Sequence, residues 1–156
     1  IANRLVGSEM CIRDSNTLIN LMKEETIDGR RLIDVASYRD RLLQIQGKVL
    51  AVQANSLRLL SAKINPGQNV KLGGMIQKLV GTELRHELEG LAIDIMGELG
   101  TLYEDDPNVR GGGSWQFTYM YFLGLIIGGG TNQIQKNIIS ERGLGMPREP
   151  KVQVEV

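Results

Sequence analysis

The sequence predicts an all-α fold, an antiparallel up-down helical bundle, on three observations. Apolar residues recur at helical rather than strand spacing along most of the chain. Gly- and Pro-rich clusters at INPGQN, GGGS and GGGT cut it into segments of helix length. No internal repeat is visible, so composition and period together support one bundle of four to five helices.

In chain order, NTLINLMKEE, from Asn16, reads as the final turns of a helix whose beginning is absent. The stretch SYRDRLLQIQGKVLAVQANSLRLLSAKI follows, with Leu42, Ile45, Val49, Val52 and Leu59 on one stripe and Arg39, Asp40, Gln44, Lys48 and Arg58 elsewhere on its surface. Ser37 is its expected N-cap, and Pro66-Gly67 its stop. A second helix is expected from about Asn69 to Leu99, carrying Leu72, Ile76, Leu79, Leu84, Leu88, Leu91, Ile95 and Leu99. At about 1.5 Å per residue the two are roughly 40 and 45 Å long, and the tight turn between them makes them antiparallel.

The polar loop TLYEDDPNVRGGGS leads to a third helix, Trp115 to Ile127, apolar on nearly all sides and so expected to be buried at the centre of the bundle or of an oligomer interface. GGGT breaks the chain again, and NQIQKNIISERGLG forms a last amphipathic helix with Ile134, Ile138 and Ile139 on one face and Gly143 near its end. The tail PREPKVQVEV is expected to be mobile.

Residues 5–15, LVGSEMCIRDS, follow neither a period of 3.6 nor one of 2. They are too interrupted for a secretory signal and too acidic for a mitochondrial presequence. The stretch resembles the translation of a transposase-type sequencing adapter, so residues 1–15 are read as non-native, 16–148 as the helical domain and 149–156 as a flexible tail. Cys11, the sole cysteine, falls in the excluded piece, which leaves no thiol for a disulfide, a metal or a nucleophile. Arg4 and Arg13 balance Glu9 and Asp14, so the remainder keeps the net charge of zero and carries no electrostatic footprint for nucleic acid. The best apolar run, residues 119–127, is about half the length of a membrane span, and the expected location is cytoplasmic.

The chemistry points to GGGTNQIQ. Glycines before a helix let a ligand approach the backbone, and free N–H groups in the first turn favour a phosphate or a developing oxyanion. Thr131 and Gln133 could add side-chain hydrogen bonds. The plainer alternative is that Gly128 to Gly130 make a close turn and Thr131 caps the helix.

IIGGGTNQIQKNIISERGLGMPRE resembles the C-terminal signature of the acyl-CoA dehydrogenases, with looser similarity over roughly residues 16–148. The resemblance implies a flavoenzyme that converts an acyl-CoA thioester to the 2,3-enoyl-CoA, and the ending NIISERGLGMPRE is closest to bacterial branches that take varied or bulky thioesters. It places Gly129 and Gly130 against substrate and Thr131, Asn132 and Gln133 against FAD, with the Gly129 N–H polarising the thioester carbonyl. A second family element, which approaches the FAD of a neighbouring subunit, aligns with DIMGELG. There Gly97 and Gly100 fit, while Asp94 replaces a Gln and Glu98 a Gly.

Many members carry the proton-abstracting Glu where this chain has Gly129, which cannot accept a proton. Other branches supply it from the first helix of the domain, so the base is expected upstream of Asn16. Glu104, Asp105 and Asp106 are expected in a solvated loop, and Glu141 as a surface charge paired with Lys or Arg. The family's Arg-x-x-Phe-Gly stretch is absent. His86 is expected on the surface rather than in catalysis, and Trp115 and the tyrosines in packing. The implied partners are an acyl-CoA, FAD shared across a subunit interface, a homo- or hetero-oligomer and an electron acceptor protein. The chain alone is expected to be inactive, and the alternative to an enzyme is a scaffold or binding subunit of the same fold.

Overall fold

The computed structural model describes residues 2–65, 71–103, 105–148 and 150, with side chains from Cys11 onward. Helix α1 spans Ala2–Glu24 and is followed by a small hairpin, β1 Thr26–Ile27 and β2 Arg30–Arg31. A 3-10 turn at Leu32–Asp34 leads into α2, Ala36–Ile64. Helix α3 covers Lys71–Met96 and tightens into a 3-10 turn at Gly97–Thr101, and α4 covers Ser114–Ile127. Helix α5 covers Asn132–Ile138 and widens into a π-turn at Ile139–Gly143. The fold is all-α as the sequence predicts, apart from the hairpin. Its Asp28-Gly29 pair has φ of 50° and 73°, the left-handed pair that a two-residue hairpin turn demands.

Helices α2 and α3 lie antiparallel. Arg41 pairs with Asp94 at 2.7 Å and Lys48 with Glu87 at 2.7 Å, so a seven-residue step along one helix matches a seven-residue step back along the other. Further on, the Asn55 side chain donates to the Gly73 carbonyl at 3.1 Å and to Gln77 at 2.8 Å, and Gln77 donates to Ser56 at 3.0 Å. Exposed pairs of this kind add little energy but select the register.

Leu42, Ile45, Val49 and Val52 are buried as the stripe predicts. The opposite edge of α2 leaves Leu43, Leu50, Leu57 and Ile64 more than half exposed, one every seven residues. The expected cap is corrected: Val35, in extended backbone, holds the N-cap position without a side-chain bond, and Ser37 lies inside the first turn. Helix α3 turns into a 3-10 turn at Gly97, two residues before the expected end at Leu99, and its described part starts at Lys71. Pro66 and Gly67 lie outside the described residues, as does nearly all of the tail 149–156. In α3, Leu84, Leu88, Leu91 and Ile95 form the core, whereas Leu72 is exposed and Ile76 and Leu79 are half-buried.

The adapter-like stretch is helical and part of α1. Cys11, Ser15, Leu18 and Met22 form its buried stripe, spaced four, three and four. Asp14 pairs with Arg85 of α3, and Arg85 also pairs with Glu89 one turn on at 3.0 Å. The Arg85 guanidinium sits 4.4 Å from the centre of the Phe122 ring of α4. One buried cation therefore joins three helices.

Helix α4 is not the centre of the bundle. It lies along one side of α3 and buries Trp115, Gln116 and Phe122, while Phe117, Met120, Tyr121, Leu123 and Ile127 remain exposed. Residues of one helix that are apolar all round have no phase from which to read the packed side. No described helix is long and apolar enough to cross a membrane.

Burial pushes the Glu89 carboxyl above its ordinary value of 4.5, and the hydrogen bonds from Thr118 and Arg85 only partly oppose this. Because the folded state favours the neutral acid, this group's contribution to stability is complete below the ordinary carboxylate range and is lost as pH rises through the elevated value. Glu89→Gln should therefore raise stability at neutral pH and flatten its decline with pH. Arg85→Ala strands two carboxylates and should cost about 3–5 kcal/mol. Urea unfolding followed by circular dichroism across a pH series reads both.

Candidate functional site

The GGGT stretch is a turn between α4 and α5, pinned from three sides. Helix α4 ends where the Gly128 N–H donates to the Gly124 carbonyl at 2.7 Å. Gly129 and Gly130 follow with φ of 71° and 99°, backbone that a side chain strongly disfavours. The Gln135 side chain reaches back six residues to donate to the Gly129 carbonyl at 2.6 Å. Lys78 of α3 donates to the Gly130 carbonyl at 2.7 Å and to the Ile126 carbonyl at 2.9 Å.

The Gly129 and Gly130 carbonyls are thus taken by Gln135 and Lys78, and the amides of the turn are not. None of the described hydrogen bonds uses the N–H of Gly129, Gly130, Thr131, Asn132 or Gln133. Amides left without a partner at such a turn suit an oxygen carrying negative charge. Gly129 is exposed, and no atom lies within 4 Å of where its Cβ would be, so a ligand can approach the backbone there.

Thr131 caps α5, its hydroxyl accepting from the Ile134 N–H at 3.4 Å. Asn132 donates to Glu83 of α3 at 2.6 Å, and its own Oδ1 is buried without a partner. Gln133 is exposed. An orphaned acceptor beside an exposed amide side chain fits the edge of a polar heterocycle such as a flavin, which presents N–H as well as carbonyl groups.

Gly97 and Gly100 lie at the other end of α3. Fourteen residues separate Gly97 from Glu83, about 20 Å of helix. They are not part of the same cluster. Gly97 is exposed at φ 55°, open to an approaching group. Gly100 is buried, with the Ile93 carbonyl 2.6 Å from where a Cβ would sit, so close packing alone accounts for glycine there.

The other candidates divide. Glu141 pairs with Arg148 at 3.9 Å, as expected of a surface charge. Asp106 accepts from the Asn108 N–H within its loop at 2.8 Å, and Glu104 lies outside the described residues. His86 is corrected: it is half-buried and stacks on Tyr119 at 4.4 Å, with Nδ1 buried and unpartnered. The last helix is corrected as well. Its α-helical part has seven residues, Ile134 is exposed, and Gly143 packs against Leu72, so the turn's own amides matter more than a helix dipole.

The sequence profile of the family described as "Acyl-CoA dehydrogenase, C-terminal domain" matches residues 4–144. The chain belongs to the acyl-CoA dehydrogenase family. Similar to this acyl-CoA dehydrogenase domain is the acyl-CoA dehydrogenase IpdE1 of Mycolicibacterium smegmatis, 32% identical over 139 residues that make up 89% of this chain and 32% of the relative. Acyl-CoA dehydrogenase FadE26 of Mycobacterium tuberculosis is 30% identical over 122 residues, 77% of this chain and 30% of FadE26. Among solved structures, a chain of the ChsE4-ChsE5 complex from Mycobacterium tuberculosis superposes with a TM-score of 0.77 at 26% identity, covering 89% of this chain and 36% of that one. The acyl-CoA dehydrogenase domain described here thus spans about a third of the length of its relatives.

Gly129→Ala meets open space, so its cost should be the backbone alone, about 1–2 kcal/mol. Gly130→Ala meets the Gln135 amide at 3.0 Å as well and should be the more destabilising of the two. Paired urea titrations of the two variants test that order.

Proposed function

We propose that this domain is the C-terminal part of an FAD-dependent acyl-CoA dehydrogenase that desaturates the α,β bond of an acyl-CoA thioester. The observation that carries the reading is the glycine turn with its carbonyls tied inward and its amides free. On this reading the Gly129 and Gly130 N–H groups bind the thioester carbonyl oxygen and stabilise the charge that grows there as the α-proton leaves. Thr131, Asn132 and Gln133 hold the flavin, which when bound accepts the hydride from the β-carbon. Gly97, with Gly100 packed behind it, faces the flavin of a neighbouring subunit. Residue 129 offers no carboxylate, so the proton passes to a base carried elsewhere in the parent protein.

The uncovered apolar faces of α2 and α4 support packing against other domains or subunits of a homo- or hetero-oligomer. A solved relative is itself a two-protein complex. Reduced flavin would pass its electrons to an acceptor protein, and the whole is read as cytoplasmic. Residues 1–15 are read as a non-native segment standing in the place of the domain's first helix, so that Cys11, Asp14 and Ser15 occupy packed positions that the natural helix would fill with residues of its own. Sequencing the source DNA across the Ser15–Asn16 junction should show the frame continuing upstream into flavin-binding sequence. A genomic LVGSEMCIRDS would overturn that reading.

Gly129 in the place of a glutamate also favours a second reading, a non-catalytic subunit of the same fold. The test joins this domain in frame to the N-terminal portion of the 32%-identical relative, loads the protein with FAD and adds an acyl-CoA. Bleaching of the oxidised flavin band with formation of enoyl-CoA is expected. A flavin that binds and stays oxidised with every thioester would leave the scaffold reading in its place. The 156-residue chain alone should show no desaturation.

A further inference from the structure

Lys78 stands apart from the other described lysines and arginines. It is half-buried, it faces two carbonyl oxygens, and none of the described ion pairs gives it a carboxylate. An ammonium withdrawn from water needs strong acceptors, and here both are backbone. The Ile126 carbonyl belongs to the last turn of α4, where carbonyls lack helical partners and the helix dipole is negative. The Gly130 carbonyl belongs to the turn itself. Lys78 therefore fastens the glycine turn to the end of α4 and both to α3.

In a trans peptide the C=O and N–H point in opposite directions, and no cis bond is present among the described residues. Anchoring the Gly130 carbonyl on Lys78 thus aims the Thr131 N–H away from α3. Gln135, on α5, likewise aims the Gly130 N–H away from its own side chain through the Gly129 carbonyl. A carbonyl that accepts from a cation also polarises its peptide unit, which makes the attached N–H a stronger donor.

We infer that Lys78 is a positioning residue for the glycine turn: it aims the Thr131 N–H through the Gly130 carbonyl and fastens to α3 the turn that carries the Gly129 and Gly130 amides. The inference rests on the dehydrogenase reading for its catalytic consequence, and on the hydrogen bonds alone for its structural one. Two measurements keep these apart.

In the 15N-labelled 156-residue chain, Lys78→Met should shift the amide signals of Gly130 and Thr131 while circular dichroism stays unchanged, and Lys78→Arg should bring them most of the way back. In the FAD-loaded fusion, Lys78→Met should lower kcat about a hundredfold with KM moved only a few-fold, with partial rescue by Lys78→Arg. Unmoved amides overturn the inference outright. Moved amides with kcat intact, in a fusion whose flavin bleaches, overturn the positioning role. If the parent fusion never bleaches, the dehydrogenase reading fails and the amide signals alone decide the hold of Lys78. Should Lys78→Met not fold, Gln135→Met supplies the measurement: it should shift Gly130 and leave Thr131 in place, and equal shifts at both positions would count against separate anchors.

Discussion

The structure depends on one buried guanidinium. Arg85 is charged, all but inaccessible to water, and touches a carboxylate of α1, a carboxylate of its own helix and an aromatic ring of α4. Removing such a group from water is costly, and only dense pairing offsets the cost. Two acids around one cation crowd negative charge into the core, and burial raises the Glu89 carboxyl toward its neutral form, which eases that crowding. The arrangement tolerates little displacement of any of the three helices.

Arg85 and Lys78 are seven residues apart, two turns of α3, and so point to the same side of the helix. Both meet α4: Arg85 at the Phe122 ring, Lys78 one turn further on at the Ile126 carbonyl. A helix with many apolar residues facing outward is thereby held by two cations as well as by its buried Trp115 and Phe122. Its end, and the glycine turn that leaves it, inherits its position from α3.

Much of this was legible in the chain and some was not, for identifiable reasons. The Leu42, Ile45, Val49 and Val52 stripe is visible because each member is apolar and in phase. The α1 stripe is hidden because Ser15, buried at one of its four positions, is polar and breaks the apolar period. Arg85 and Lys78 look like ordinary solvated positions, since nothing in a linear reading distinguishes a charge facing water from one facing a carbonyl 52 residues away. The glycine turn itself was readable from GGGT, and its left-handed backbone follows from residue type. Its anchors were not: Gln135 falls in an unremarkable helical turn, and Asn132 meets Glu83 only through the packing of α5 on α3.

Gly129 also constrains what evolution can do at this turn. The space beside it is empty, so sterics would admit a glutamate. The backbone would not: at φ 71° a side chain carries a conformational penalty, and relaxing it would rotate peptide units that Gln135 and Lys78 hold in place. An acidic side chain at this position would therefore carry a backbone cost of about 1–2 kcal/mol and pull on the peptide units that the two anchors hold.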